Sequence, residues 1–115
     1  MQLGPPGRWW DDPSFASDLH LKPDQQTRMD AIFAQNKGTL MARFDSLRQE
    51  ERQLWAISRG ANIEEHALFA QIDRVSQARA ELEKANAHML LLLRHELSSD
   101  QVSALDDLRP PPPPR

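Results

Sequence analysis

Between Pro23 and Pro110 the chain carries no proline and only two glycines, Gly38 and Gly60. Proline and glycine are the residues that most readily end or weaken a helix, so this long interior can run helical with almost no interruption. Residues that favour strands are scarce. Val, Ile and Thr total eight and tyrosine is absent, whereas Leu, Ala, Gln, Glu and Arg, which lose little rotamer freedom in a helix, dominate. The expected fold class is all-α.

From Asp24 onward the apolar pattern has helical period. Met29, Phe33, Asn36, Leu40, Phe44, Leu47, Glu51, Leu54 and Ser58 recur at alternating four- and three-residue steps and are mostly apolar, with Ile32, Met41, Trp55 and Ile57 widening the stripe. The repeat is nearer eleven residues (Phe33, Phe44, Trp55) than seven, which suits a nearly straight helix better than a heptad coiled coil. The stripe keeps its phase across Gly38. One helix of about 50 Å, with Asn36–Gly38 as the place where it could bend, is therefore expected.

Arg59-Gly60-Ala61-Asn62 is the first interior break, with Gly60 suited to a left-handed helix end and Asn62 to capping the next helix. A second helix is expected from about Ile63 to Glu96, seamed by Leu68, Ile72, Val75, Leu82, Met89 and Leu93. So short a turn makes the two helices an antiparallel hairpin. Leu90–Leu93 are apolar all round, which requires cover on more than one side. Ser98-Ser99-Asp100-Gln101 is a capping-box pattern, opening a third, short helix to about Arg109 in which Gln101 reaches back to the Ser98 N–H. The expected organisation is an extended N-terminal arm over 1–18, a helical domain over 19–109 and a proline-rich disordered tail over 110–115.

Several function classes fall away. The formal charge of −3 gives no nucleic-acid footprint, and no apolar run is long enough for membrane insertion. Cysteine is absent, which removes disulfides, thiolate metal sites and cysteine nucleophiles. No apolar core of a signal peptide occurs in Met1–Trp10, so a signal peptide is expected to be absent or already removed. No phosphate-cradling glycine loop or nucleophile elbow is present, and Glu50-Glu51 and Glu64-Glu65 point about 100° apart on a helix. The chain is not expected to be an enzyme, and no cofactor is expected.

Two segments look alike: Leu21-Lys22-Pro23-Asp24-Gln25 and Leu97-Ser98-Ser99-Asp100-Gln101. Each places a leucine before a helix start and a glutamine four residues on. This resembles the paired LTxxQ motif of the Spy/CpxP family of periplasmic proteins, which includes refolding chaperones and related heavy-metal resistance and sensor proteins. The motif residues are Leu21, Pro23 and Gln25 in the first copy and Leu97, Ser98 and Gln101 in the second. Lys22 stands where the motif has threonine, so the first copy lacks that side-chain cap. The resemblance covers roughly residues 19–109. It implies a curved, cradle-like antiparallel homodimer that binds unfolded or aggregation-prone client proteins on a concave face without ATP, in the periplasm.

On that implication the aromatic and methionine stripe is the candidate client surface: Met29, Phe33, Met41, Phe44 and Trp55, with Arg43, Arg48 and Arg52 beside it. Part of the stripe is needed as the core of the hairpin, but a layer this thin covers only one of its broad faces. Metal is the alternative, as a zinc, copper or nickel sensor or resistance protein on the same fold. His20, His66, His88, Met89 and His95 are its weak candidate ligands, because no histidine has a second histidine or carboxylate at helical spacing. His88 and His95 share a face but lie about 10 Å apart. A second alternative is a helical adaptor with one dedicated protein partner.

Overall fold

The computed structural model describes residues 7–108. A 3-10 turn at Trp9–Asp11 leads into α1 (Pro13–Asp18), the long α2 (Pro23–Ile57) and α3 (Glu65–His95), and the short α4 (Ser99–Leu108). The described chain is all-helical, and α2 and α3 pack together as a pair. Arg109 and the expected proline-rich tail lie outside the described residues.

Chain contacts divide the protein into two units. The first holds the N-terminal segment, α1, α2 as far as Gln35, α3 from Ala87, and α4. Its core is Trp9, Trp10, Leu19, Met29, Met89, Leu90, Leu93, Leu97 and Leu105, with the side chain of Gln25 among them. Leu90 and Leu93 are buried and Leu92 half-buried, as the all-round apolar run requires, whereas Leu91 remains exposed. The bidentate Arg94–Asp106 pair, at 3.0 and 3.2 Å, ties the end of α3 to α4.

The expected extended arm is a correction. Trp9–Asp11 is a 3-10 turn and Pro13–Asp18 a helix, joined at an extended Asp12 that accepts the Ser14 N–H, with Pro13 supplying a pre-set first turn. Its hydrogen-bonded turns let two indoles be buried without stranding backbone groups. Trp9 meets Trp10 and Phe15 edge-on, at 5.8 and 6.1 Å between ring centroids.

The second unit, Asn36–Asn86, is the closed end of the hairpin. Its buried residues are Leu47, Val75 and Gln71, whose amide donates to the backbone carbonyl and the carboxylate of Glu50 at 2.9 and 3.0 Å. Gly60 has φ +98°, the left-handed conformation expected after α2. The cap of α3 is Glu64 and not Asn62. Its carboxylate accepts the His66 and Ala67 N–H groups, so α3 starts at Glu65. A carboxylate at this end also meets the positive pole of the helix, which a neutral Asn62 would not. α2 runs unbroken through Gly38, and the space where a Cβ would stand there is open.

Candidate functional site

The two motif copies meet in the first unit through their glutamines. Gln25 Nε2 donates to Gln101 Oε1 at 2.8 Å, and Gln101 Nε2 donates to Gln25 Oε1 at 3.1 Å. Each amide oxygen also caps its own helix: Gln25 Oε1 accepts the Lys22 N–H and Gln101 Oε1 the Ser98 N–H, both at 2.9 Å. Each amide nitrogen donates again to the carbonyl just before the other copy's leucine, at Glu96 for Gln25 and at His20 for Gln101, with Leu19 as a further acceptor for Gln101. The arrangement is a local pseudo-twofold. Ser98 completes a full capping box by accepting the Gln101 N–H, and at Lys22 only the glutamine half of the box survives.

Charge surrounds this pair. Arg28 donates to Glu96 at 2.6 Å and to Asp24 at 3.2 Å. The Arg28 hydrogen bond holds the Asp24 carboxyl below the usual carboxylate range, and the Glu96 and Asp24 bonds in turn raise Arg28. An open cavity of about 440 Å³ beside the pair is lined by Asp18, Lys22, Asp24 and Asp100 among others. Its walls mix both charges.

A clasp holds the N-terminal segment on α2 in the same unit. Asp30 Oδ1 accepts from Arg8 at 2.7 Å and from the Trp10 indole at 2.6 Å, while Gln26 donates to the Trp10 carbonyl. Trp10 lies edge-on to Phe33 at 6.0 Å, and the Arg8 guanidinium covers Phe33 at 5.6 Å. Arg8 also pairs with Asp11 at 2.7 Å. Two residues expected on the client surface are not open. Met29 is fully buried, and Phe33 is half-buried beneath Trp10 and Arg8.

The second unit leaves the remainder of the stripe open. Met41, Phe44 and Trp55 are exposed, Trp55 by 64%, and Arg48 and Arg52 stand with them. On a helix Met41, Phe44, Arg48, Arg52 and Trp55 fall within about 80° of one another, with Lys37 on the same line one turn before Met41, and Arg59, just beyond the end of α2, lies over the Trp55 ring. Arg43 does not join them, since it projects about 140° away from Arg48. A groove of about 480 Å³ runs along Leu40, Met41 and Phe44, closed on the other side by Leu82, Glu83 and Asn86. A second, of about 670 Å³, is lined by Arg48, Glu51, Arg52, Trp55 and Ala56. Arginines cover the rings from one turn ahead, Arg48 at 5.7 Å from Phe44 and Arg59 at 3.9 Å from Trp55.

The candidate metal ligands are dispersed. His20, His66, His88 and His95 are exposed and Met89 is buried. Among the described residues no three of His, Cys, Asp and Glu gather into a group that could hold an ion. Sequence reasoning missed Lys37 and Arg59 as the ends of the cationic line, although the eleven-residue spacing Lys37, Arg48, Arg59 was there to find them. It also missed the clasp residues Arg8, Gln26 and Asp30, for which the sequence holds no comparable signal.

Among known proteins, the heavy-metal resistance family matches residues 2–104. No curated protein and no solved structure matches the chain.

Proposed function

The chain belongs to the heavy-metal resistance family, which falls within the Spy/CpxP-like helical proteins, and on that premise we propose that it is an ATP-independent periplasmic chaperone acting as a homodimer. One observation carries the reading: the Met41, Phe44 and Trp55 side chains lie exposed beside arginines on a face of α2 that the hairpin does not use for its own core. Contiguous exposed apolar side chains on a small protein mark an interaction surface. Methionine and arginine adapt to many shapes, which suits unlike clients. Capture would need no covalent step, only weak contacts that exchange quickly enough for a client to go on folding.

The test is light scattering of two chemically unrelated aggregating clients with no nucleotide present. The wild type should suppress both at several-fold excess, and Met41→Ser combined with Arg48→Ser should weaken suppression with helix content unchanged. Protection of neither client refutes the chaperone reading. Equal protection by the double variant assigns capture to another face.

Metal resistance or sensing is the second reading, favoured by the family match. Among the described residues of one copy the donors are scattered and do not fit a resident ion, so a site would have to draw ligands from two copies. Calorimetric titration with zinc, copper and nickel separates the readings. Weak, at best micromolar, binding is expected, and nanomolar binding lost in His88→Ala or His95→Ala would promote the metal reading.

A further inference from the structure

The stripe on α2 repeats every eleven residues, a rotation of about 20° from three full turns, so each repeat presents nearly the same face. Gln26, Asp30 and Phe33 form the first repeat, Lys37, Met41 and Phe44 the second, and Arg48, Arg52 and Trp55 the third. The first has an occupant from the chain itself. Trp10 packs on Phe33, its carbonyl accepts from Gln26, and its indole donates to Asp30. All three aromatic rings are covered by an arginine: Phe33 by Arg8, Phe44 by Arg48 and Trp55 by Arg59.

The repeats differ in how that arginine is neutralised. Arg8 is closed by two carboxylates, Asp11 and Asp30, both at 2.7 Å. Among the described residues Arg48 and Arg59 have no acidic partner within ion-pair distance. Arg52 and Lys37 add two further cations to the line, against exposed Asp45 on the same face, Glu83 at the rim of one groove and Glu51 at the rim of the other, where Glu51 faces Arg79 at 3.9 Å. The first repeat has a second aromatic side chain laid on its ring and two carboxylates closing its arginine, one of them its own Asp30, and among the described residues the others have neither.

We propose that the open repeats around Phe44 and Trp55 bind an extended acidic peptide segment in which aromatic residues stand beside aspartate or glutamate. The aromatic side chain would lie on Phe44 or Trp55 as Trp10 lies on Phe33. The flanking carboxylates would pair with Arg48 and Arg59 as Asp11, next to Trp10 in the chain, pairs with Arg8. The proposal rests on the client-binding reading and narrows it to a class of segment. Phe44 and Trp55 lie about 16 Å apart along the helix, which about five residues of extended chain span.

The probe is a fluorescein-labelled peptide with two tryptophans about five residues apart, each flanked by aspartates, read by fluorescence polarisation. Companion peptides carry Asn or Lys in place of Asp, or Ser in place of Trp. The acidic aromatic peptide should bind at micromolar concentration, and each companion about five- to tenfold more weakly. Arg48→Ser with Arg59→Ser should abolish the advantage of Asp over Asn, so that the two peptides bind the variant alike. Equal binding of the Asp and Asn peptides overturns the proposal. So does binding of the Lys peptide, or loss of peptide binding as the protein is concentrated, which would give the face to a second copy. Client protection measured in parallel separates the two claims: clients protected with no peptide bound sinks this proposal alone, and no protection sinks the function on which it rests.

Discussion

Replacing Gln25 with alanine tests whether the paired motif holds the first unit together. The side chain is 8% exposed and makes four hydrogen bonds, to the Lys22 N–H, the Glu96 carbonyl and both ends of the Gln101 amide. Neutral bonds of this kind contribute about 0.5–1.5 kcal/mol each net, and some groups left behind stay shielded from water, so Gln25→Ala should cost about 2–4 kcal/mol. Gln101→Ala removes the Ser98 cap and the Leu19 and His20 contacts as well, but Gln101 is only half-buried and water can enter. Its cost should be nearer 1–3 kcal/mol. Because the two amides bond reciprocally, the double variant should cost less than the two single changes added, with a coupling of about 1–2 kcal/mol. For a chain of this size the melting temperature falls by roughly 4 °C per kcal/mol. Urea unfolding followed by circular dichroism gives all three values. A cost below about 1 kcal/mol for Gln25→Ala, or strict additivity, would refute the idea that the pair acts as one unit.

Leu47→Ser removes one of the few buried side chains of the second unit and should cost about 2–4 kcal/mol by urea titration, whereas Met41→Ser with Arg48→Ser should stay within about 0.5 kcal/mol. Asp24 predicts a pH effect. Its native carboxyl holds its proton less tightly than in the unfolded chain, so its contribution is complete above the unfolded value and is lost as pH falls through the native one. Stability of the wild type should therefore drop more steeply below about pH 4 than that of Asp24→Asn, and the Asp24 carboxyl should titrate low by NMR.

The parts of the fold legible in the sequence are those set by local rules. The α2 stripe, the left-handed Gly60 and the Ser98–Gln101 capping box follow from helical period and backbone geometry at neighbouring residues. What escaped depends on partners far away in sequence. Phe33 and Phe44 belong to one apolar stripe, and nothing local says that the first is covered and the second open. Trp10, twenty-three residues before Phe33, packs on it, and the clasp on Asp30 that holds Trp10 is a tertiary contact. Likewise Gln25 and Gln101 could each be read as a helix-start residue, but the bond between them spans 76 positions. The likeness of the two segments hinted that they were related without saying that they touch. For the site, composition supplied the kinds of residue and helix phase their line, while the uncovering of that line needed the structure.

A last consequence concerns local stability. Of the buried residues, Leu47, Gln71 and Val75 fall in the second unit and the others in the first, although the second spans residues 36–86. Protection of backbone amides follows the burial that must be undone to expose them, so segments with few buried side chains open at lower free energy than the whole chain unfolds. The candidate binding face thus sits on the part of the protein least fixed by its own core. Native-state hydrogen exchange on dilute protein should show amides around Leu47 and Val75 exchanging at least about tenfold faster than those around Met29 and Leu93. Addition of a client or of the acidic aromatic peptide should slow the first pair and leave the second unchanged, because a ligand raises the opening free energy only where opening removes its site. Equal protection of the two regions in dilute, unliganded protein would mean that Leu47 and Val75 are held by something other than the burial seen within one copy. That result would point to a second copy already covering the face, and the client-binding argument from exposed Phe44 and Trp55 would lose its footing.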